Sequence, residues 1–319
     1  MKPADAASLA PRDAALLRLG KALKARGYRF TTVTPATHAR VNGRPGNARA
    51  RSVEDVFGWS RPFEAELLPA DLLAPMQEAG VIDDTGDGLR SRLRASTLGS
   101  DLFFHSAYPT EAADAVFFGP DTYRFAAALE RHIEQNPTPR GRALDVGCGS
   151  GAGAVVIARA WPDAEVLATD INAEALRLTS INARLAGVTN LATRHSDLLA
   201  AVDGGLDLVV ANPPYLLDPG ERQYRHGGGA SGEGLSLRIV DAAVDKLAPG
   251  GTLLLYTGVA IQGGVDRFGE LLASRLAGRP ATWRYRELDP DVFGEELLEP
   301  AYAHADRIAA VLLTLTLAR

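Results

Sequence analysis

The residues best suited to chemistry lie in two short stretches. The first is Asn212-Pro213-Pro214-Tyr215, which follows an apolar run of strand character over residues 206–211. The Asn212 amide oxygen and the Pro213 carbonyl are two acceptors held by a proline turn, a pair that can orient a nitrogen carrying two N–H bonds. Pro214 stiffens the turn, and Tyr215 adds a ring able to stack on a planar group. The second stretch runs Leu144-Asp145-Val146-Gly147-Cys148-Gly149-Ser150-Gly151-Ala152-Gly153. Its alternating glycines join an apolar run (142–146) to an apolar helix starting near 154, a turn in which backbone can adopt positive φ and approach a ligand closely. Taken alone, this loop also fits the dinucleotide pattern G-x-G-x-x-A at Gly147, Gly149 and Ala152, with Asp170 following. That pattern leaves two features unexplained: Asp145, a carboxylate at the strand end, and the Asn-Pro-Pro-Tyr turn.

Such groups need strand ends to hold them, and the sequence supplies alternating elements. A strand over 165–169 ends at Asp170, a helix covers 173–186, and a strand over 191–195 precedes Asp197. The strand over 206–211 carries the proline turn, then come a helix (233–247), a Pro249-Gly250-Gly251 turn and a fifth strand (252–256). This alternation predicts a mainly parallel sheet with helices on both faces. Asp145, Asp170 and Asp197 each sit just past a predicted strand, on the side where doubly wound sheets bind ligands.

With Asp145, the glycine loop and Asn212-Pro213-Pro214-Tyr215, the chain resembles the class I S-adenosylmethionine (SAM) methyltransferases. More narrowly it is similar to the amino-group N-methyltransferases with an N-P-P-Y signature, among them the HemK-type glutamine N5-methyltransferases and the small-domain ribosomal-RNA guanine or adenine N-methyltransferases. The likeness runs from about residue 116 to the end of the chain. It implies a Rossmann-like seven-stranded α/β sheet, with strands over 282–288 and 307–315 as the final hairpin and the last strand antiparallel. SAM is the implied cofactor. Asp145 would meet its ammonium group, with Gly147, Gly149 and Gly151 beside its methionine and ribose. Asp170 would take both ribose hydroxyls, Ile171 would pack on the adenine, and Asp197 and Leu198 would lie near the adenine amino group. Asn212 and Pro213 would hold the accepting nitrogen, favouring its electron-richer pyramidal form as the methyl arrives. The implied substrate is macromolecular: a protein glutamine first, an exocyclic amine of rRNA second.

Composition bounds the rest. At 319 residues, 46% hydrophobic and 23% charged, the chain suits one large globular domain plus a smaller one. We expect a substrate-recognition domain over 1–115 and a catalytic domain over 116–319. No apolar run reaches the ~18 residues that span a bilayer, and residues 1–5 lack the apolar core of a signal peptide. A single cysteine, Cys148, excludes an intrachain disulfide, fits a reducing cytoplasm, and reads as a small packing residue. The acidic group Glu287, Asp289, Asp291, Glu295 and Glu296 lacks metal-loop spacing and reads as solvated surface or as a partner for basic residues, so no metal is expected.

Residues 1–60 hold eleven Lys and Arg against four Asp and Glu, a net of +7, whereas the whole chain carries −5. A patch of that kind can meet phosphate or an acidic partner. Within residues 1–115 helices are expected over 11–26 and 67–80, and residues 31–50 read as an aperiodic basic loop. Strands over 89–95 and 101–106 complete a helix, strand and hairpin order, giving a smaller α+β, winged-helix-like domain. Alternation would set Arg90, Arg92 and Arg94 on one face of that hairpin. Asp121 or Thr122 is expected to cap a helix over 123–134, with a short break at 136–140 between it and the first central strand. Residues 222–229, polar and glycine-rich, read as a lid that includes His226.

Overall fold

The computed structural model describes residues 9–137, 141–218 and 224–319; Thr138–Arg140 of the expected break and Arg222 and Gln223 of the expected lid lie outside them, as do residues 1–8. The first helix, α1 (Pro11–Ala25), turns Leu16, Leu19 and Leu23 inward as their spacing predicts. The segment 31–50 is not an aperiodic loop: it contains α2 (Pro35–Asn42), where the Thr34 side chain accepts the Thr37 N–H and Pro35 opens the first turn. Its start signal is local, but so short a helix shows no apolar stripe. After α3 (Val53–Phe57), α4 (Ala70–Ala79) stops at Gly80, whose φ of 66° closes the helix in the left-handed region.

Two antiparallel hairpins follow, β1 (Ile82–Asp84) with β2 (Leu89–Ser91) and β3 (Leu93–Leu98) with β4 (Asp101–Ser106). The strand expected over 89–95 is therefore split at Arg92 between two separate ladders. The three arginines share no exposed face either, because Arg94 is buried with its Nε donating to the Ser106 carbonyl at 3.1 Å, while Arg92 is exposed.

The second half is a wound sheet. Its elements are α5 (Pro120–Gln135), β5 (Arg142–Val146), α6 (Ala152–Ala160), β6 (Glu165–Asp170), α7 (Ala173–Ala186), β7 (Leu191–His195), β8 (Leu206–Ala211), α8 (Gly234–Val244), β9 (Leu247–Gln262), β10 (Val265–Asp266), α9 (Arg267–Leu276), β11 (Ala281–Asp289) and β12 (Arg307–Leu317). The strands lie in the order β11-β12-β9-β8-β5-β6-β7, with β10 turning back on the end of β9. β7, β6, β5, β8 and β9 are parallel, and β12 is antiparallel to both β9 and β11. β9 outruns the strand expected over 252–256 because β12 pairs with it as far as Ile261. The chain winds outward from β5 to β7, then returns to β5's other side as β8. That reversal opens a crevice above the carboxyl ends of β5 and β8, where open α/β sheets bind ligands.

The N-terminal hairpin is fastened to this sheet layer. Leu16, Leu19, Phe57, Met76 and Phe104 share one apolar core with Ala175, Leu178, Ile181 and Leu185 of α7. Buried Asn182 of α7 accepts the Phe104 N–H (2.9 Å) and donates to the Phe104 carbonyl (3.0 Å) and the Ser150 carbonyl (2.9 Å). One amide thus ties β4, α7 and the glycine loop together, and β4 lies against α7 rather than standing out as a wing. No helix among the described residues is long and apolar enough to cross a membrane.

Candidate active site

A cavity of about 740 Å³ occupies the crevice, within the ~300–1,000 Å³ of small-molecule sites. Asp145, Gly147, Gly149, Asp170, Ile171, Asp197, Leu198, Asn212, Pro213, Pro214 and Tyr215 all line it, although they come from four separate strand ends. Gly151 is the exception. It caps the start of α6, packed so tightly on Thr179 that a Cβ would overlap that side chain, and it does not reach the cavity.

The loop after β5 follows from its glycines: Gly147 and Gly149 hold φ of 66° and 53°, values an L side chain rarely adopts. This geometry aims the Gly149 N–H at Asp170 Oδ2 (3.0 Å), while the Asn172 N–H reaches Oδ1 (2.9 Å). Asp170 is thereby fixed with lone pairs to spare, and burial pushes its carboxyl above the ordinary range. Beside it, apolar Ile171 stays 47% exposed on the cavity's edge, a surface suited to the face of a planar ring. Asp145 is buried at the end of β5, and its Oδ2 accepts the Ala154 N–H in the first turn of α6 (2.8 Å). Desolvation lifts its pKa to about 7, with repulsion from Asp170 adding to the rise and the Ala154 N–H opposing it. A buried carboxylate so destabilised gains from a ligand cation. Asp197 differs: it is exposed and pairs with Arg238 at 3.4 Å. Cys148 is a buried thiol pushed far up by burial, as a packing residue should be.

At the end of β8 the proline turn presents Asn212, whose side-chain amide has no hydrogen-bond partner among the described residues. Tyr215 is buried, its hydroxyl donating to Asp121 Oδ2 at 2.7 Å, and Tyr256 of β9 donates to Asp121 Oδ1 at 2.6 Å. Burial pushes the Asp121 carboxyl up, against the pull of both phenols and Arg124. Sequence reasoning assigned Asp121 only a capping role. The described part of the expected lid is built into the wall: Gly227 donates to the Leu216 carbonyl (2.8 Å), and Arg225 pairs with Asp218 and Glu296. Glu296 thus takes the second of the two roles expected of the acidic group, a partner for a basic residue, here in a buried ion group. Phe293, from the same β11–β12 connection, meets the Tyr215 ring edge-on with centroids 6.0 Å apart.

The methyltransferase small-domain family model matches residues 115–262. A release factor glutamine methyltransferase of Bordetella pertussis is 33% identical over 219 residues, 64% of this chain and 78% of the relative. The chain belongs to the class I SAM-dependent methyltransferases. It is a SAM-dependent N-methyltransferase, and the donor set above fits that cosubstrate: two carboxylates for an ammonium and a ribose diol, an apolar edge for a purine. A release factor glutamine methyltransferase of Deinococcus radiodurans is 36% identical over 201 residues, 59% of this chain and 66% of that one. A ribosomal protein uL3 glutamine methyltransferase of Neisseria meningitidis serogroup B is 34% identical over 211 residues, 60% of this chain and 69% of that one. The chain thus spans about two thirds of the length of the Deinococcus relative.

Proposed function

We propose that this methyltransferase modifies the side-chain amide nitrogen of a glutamine in a protein substrate. The observation that carries the reading is the unpartnered Asn212 amide at the proline turn, lining the same cavity as Asp145 and Asp170. SAM supplies an electrophilic methyl group on a cationic sulfonium. In this reading Asp145 takes the ammonium, Asp170 the ribose diol, and Ile171 the adenine face. Asp197 and Leu198 bound the adenine's far side. Asn212 Oδ1 and the Pro213 carbonyl accept the two N–H bonds of the incoming amide, whose lone pair is otherwise delocalised. Holding both N–H bonds orients the nitrogen and stabilises charge that develops as the methyl arrives. Proton loss follows transfer, so no strong base is needed beforehand.

The names of the relatives support glutamine over an RNA base. Arg18, Arg26 and Arg49 pair with Glu78, Asp71 and Glu64, so three of the eleven basic residues in 1–60 are met by acids from beyond that segment. In this reading residues 1–115 select the substrate, residues 116–319 catalyse, and the protein works in the cytoplasm. Incubation with methyl-labelled SAM and purified release factor, uL3 or total rRNA tests it. Label on one of the two proteins, at a glutamine by peptide mapping, is the expected result. Label on the RNA and on neither protein would overturn it.

A further inference from the structure

We propose that Asp121 is a positioning residue for the transfer: its carboxylate anchors the Tyr215 hydroxyl and holds that ring as a fixed wall beside Asn212. The inference rests on the N-methyl-transfer reading of the turn, and three observations carry it. First, Asp121 is not needed as the helix cap, because Thr122 Oγ1 accepts the Gly119 N–H (3.2 Å) at the start of α5. Second, the carboxylate is buried yet has both oxygens taken by phenols from different elements, Tyr215 of the turn and Tyr256 of β9, with Arg124 at 3.3 Å from Oδ1. An apolar pair would fill such a core without the desolvation penalty of a charge, so the arrangement maintains a specific orientation. Third, the Tyr215 ring is confined on its other sides. Gly258 lies under it so closely that a Cβ would overlap the ring, and Phe293 meets it edge-on. The hydroxyl bond to Asp121 fixes the remaining degree of freedom, rotation and tilt within that slot. Because Tyr215 follows Asn212 by three residues in a proline-stiffened turn, a ring held in place also holds the Asn212 acceptor. Misplacement of an acceptor by about 1 Å is enough to slow a reaction ~100-fold.

The test uses the full chain with Asp121→Asn, Tyr215→Phe, the double variant, and Tyr256→Phe for comparison. Asp121→Asn turns the carboxylate acceptor of the Tyr215 hydroxyl into a neutral amide and leaves two phenols competing for its one oxygen, so the Tyr215 anchor is weakened. It should lower kcat for the protein substrate by roughly 10- to 100-fold, with the SAM dissociation constant changed by less than about 3-fold. Tyr215→Phe should do the same, and the double variant should be no slower than Tyr215→Phe alone, since both changes break one link. Tyr256→Phe disturbs the same buried carboxylate but spares that link, and its kcat should stay within about 3-fold of the unaltered chain. In parallel, ring signals of Tyr215 in the NMR spectrum of tyrosine-labelled protein, assigned through Tyr215→Phe, should move in Asp121→Asn. Rate losses that multiply in the double variant, or an equal loss in Tyr256→Phe, would overturn the proposal in favour of general core damage. If the unaltered chain labels neither release factor nor uL3, the glutamine reading fails on its own, and the NMR comparison judges the anchor: unmoved Tyr215 signals in Asp121→Asn overturn it, displaced ones support it.

Discussion

Asp145→Asn should stabilise the ligand-free protein at about pH 8 while weakening its hold on SAM. In the folded chain the Asp145 carboxyl keeps its proton up to about pH 7, against an ordinary value of 3.8, because burial penalises the charge. At 1.36 kcal/mol per pH unit, carrying that charge above pH 7 costs the native state about 4 kcal/mol. An amide avoids the charge and keeps an oxygen for the Ala154 N–H. It also brings a buried NH2 group, whose unmet hydrogen bonds cost about 1–3 kcal/mol. The net gain at about pH 8 is therefore about 1–3 kcal/mol. The native state binds this proton more tightly than the unfolded chain, so the contribution to stability is complete below about pH 4 and is lost as pH rises through about 7. The variant's advantage should thus be absent or reversed at about pH 4, grow towards pH 7, and level off above it. Calorimetric melts of both proteins without ligand, taken from about pH 4 to 8, measure the difference with all other titrations cancelling. Titration with SAM at about pH 8 should show at least about tenfold weaker binding, the loss expected for a hydrogen bond to a charged group. A difference in Tm that stays flat across this range would refute the claim that Asp145 is a destabilised carboxylate held in reserve for a cation.

Asn212→Ala should lower turnover roughly 100-fold or more while leaving SAM affinity largely intact, which steady-state rates and calorimetry on the same preparation will separate. Asp170→Ala removes an anion fixed by two backbone N–H groups, and calorimetry should show SAM binding weakened by about 1–3 kcal/mol. Gly258→Ala drives a methyl group into the Tyr215 ring, so it should cost about 1–3 kcal/mol of stability in thermal melts and slow transfer, with SAM binding spared. Retention of full turnover in Gly258→Ala would mean that the ring position does not matter.

The sequence alone determined the wound sheet and most of the site, because both are written in local patterns. Strands Arg142–Val146, Leu191–His195 and Leu206–Ala211 and helix Ala173–Ala186 stand where apolar periodicity placed them. Asp145, Asp170 and Asn212 were legible because an acid or amide just past a strand end must lie at the sheet's carboxyl edge, whatever the rest of the chain does. Tertiary structure decided what depends on partners distant in sequence. Nothing near Asp121 distinguishes a capping acid from one that receives a phenol 94 residues away, and Tyr256 gives no hint of pointing to the same carboxylate. Arg94 reads as an exposed strand cation by alternation, yet the split of its strand at Arg92 puts it inside. Part of the N-terminal basic charge is likewise met by acids brought close only by folding, as Arg18 is by Glu78 and Arg26 by Asp71. A motif fixes which groups are present at a strand end. Which face is buried, and which charge is already spent, is settled by packing between elements, and packing energy is not a property of any one segment.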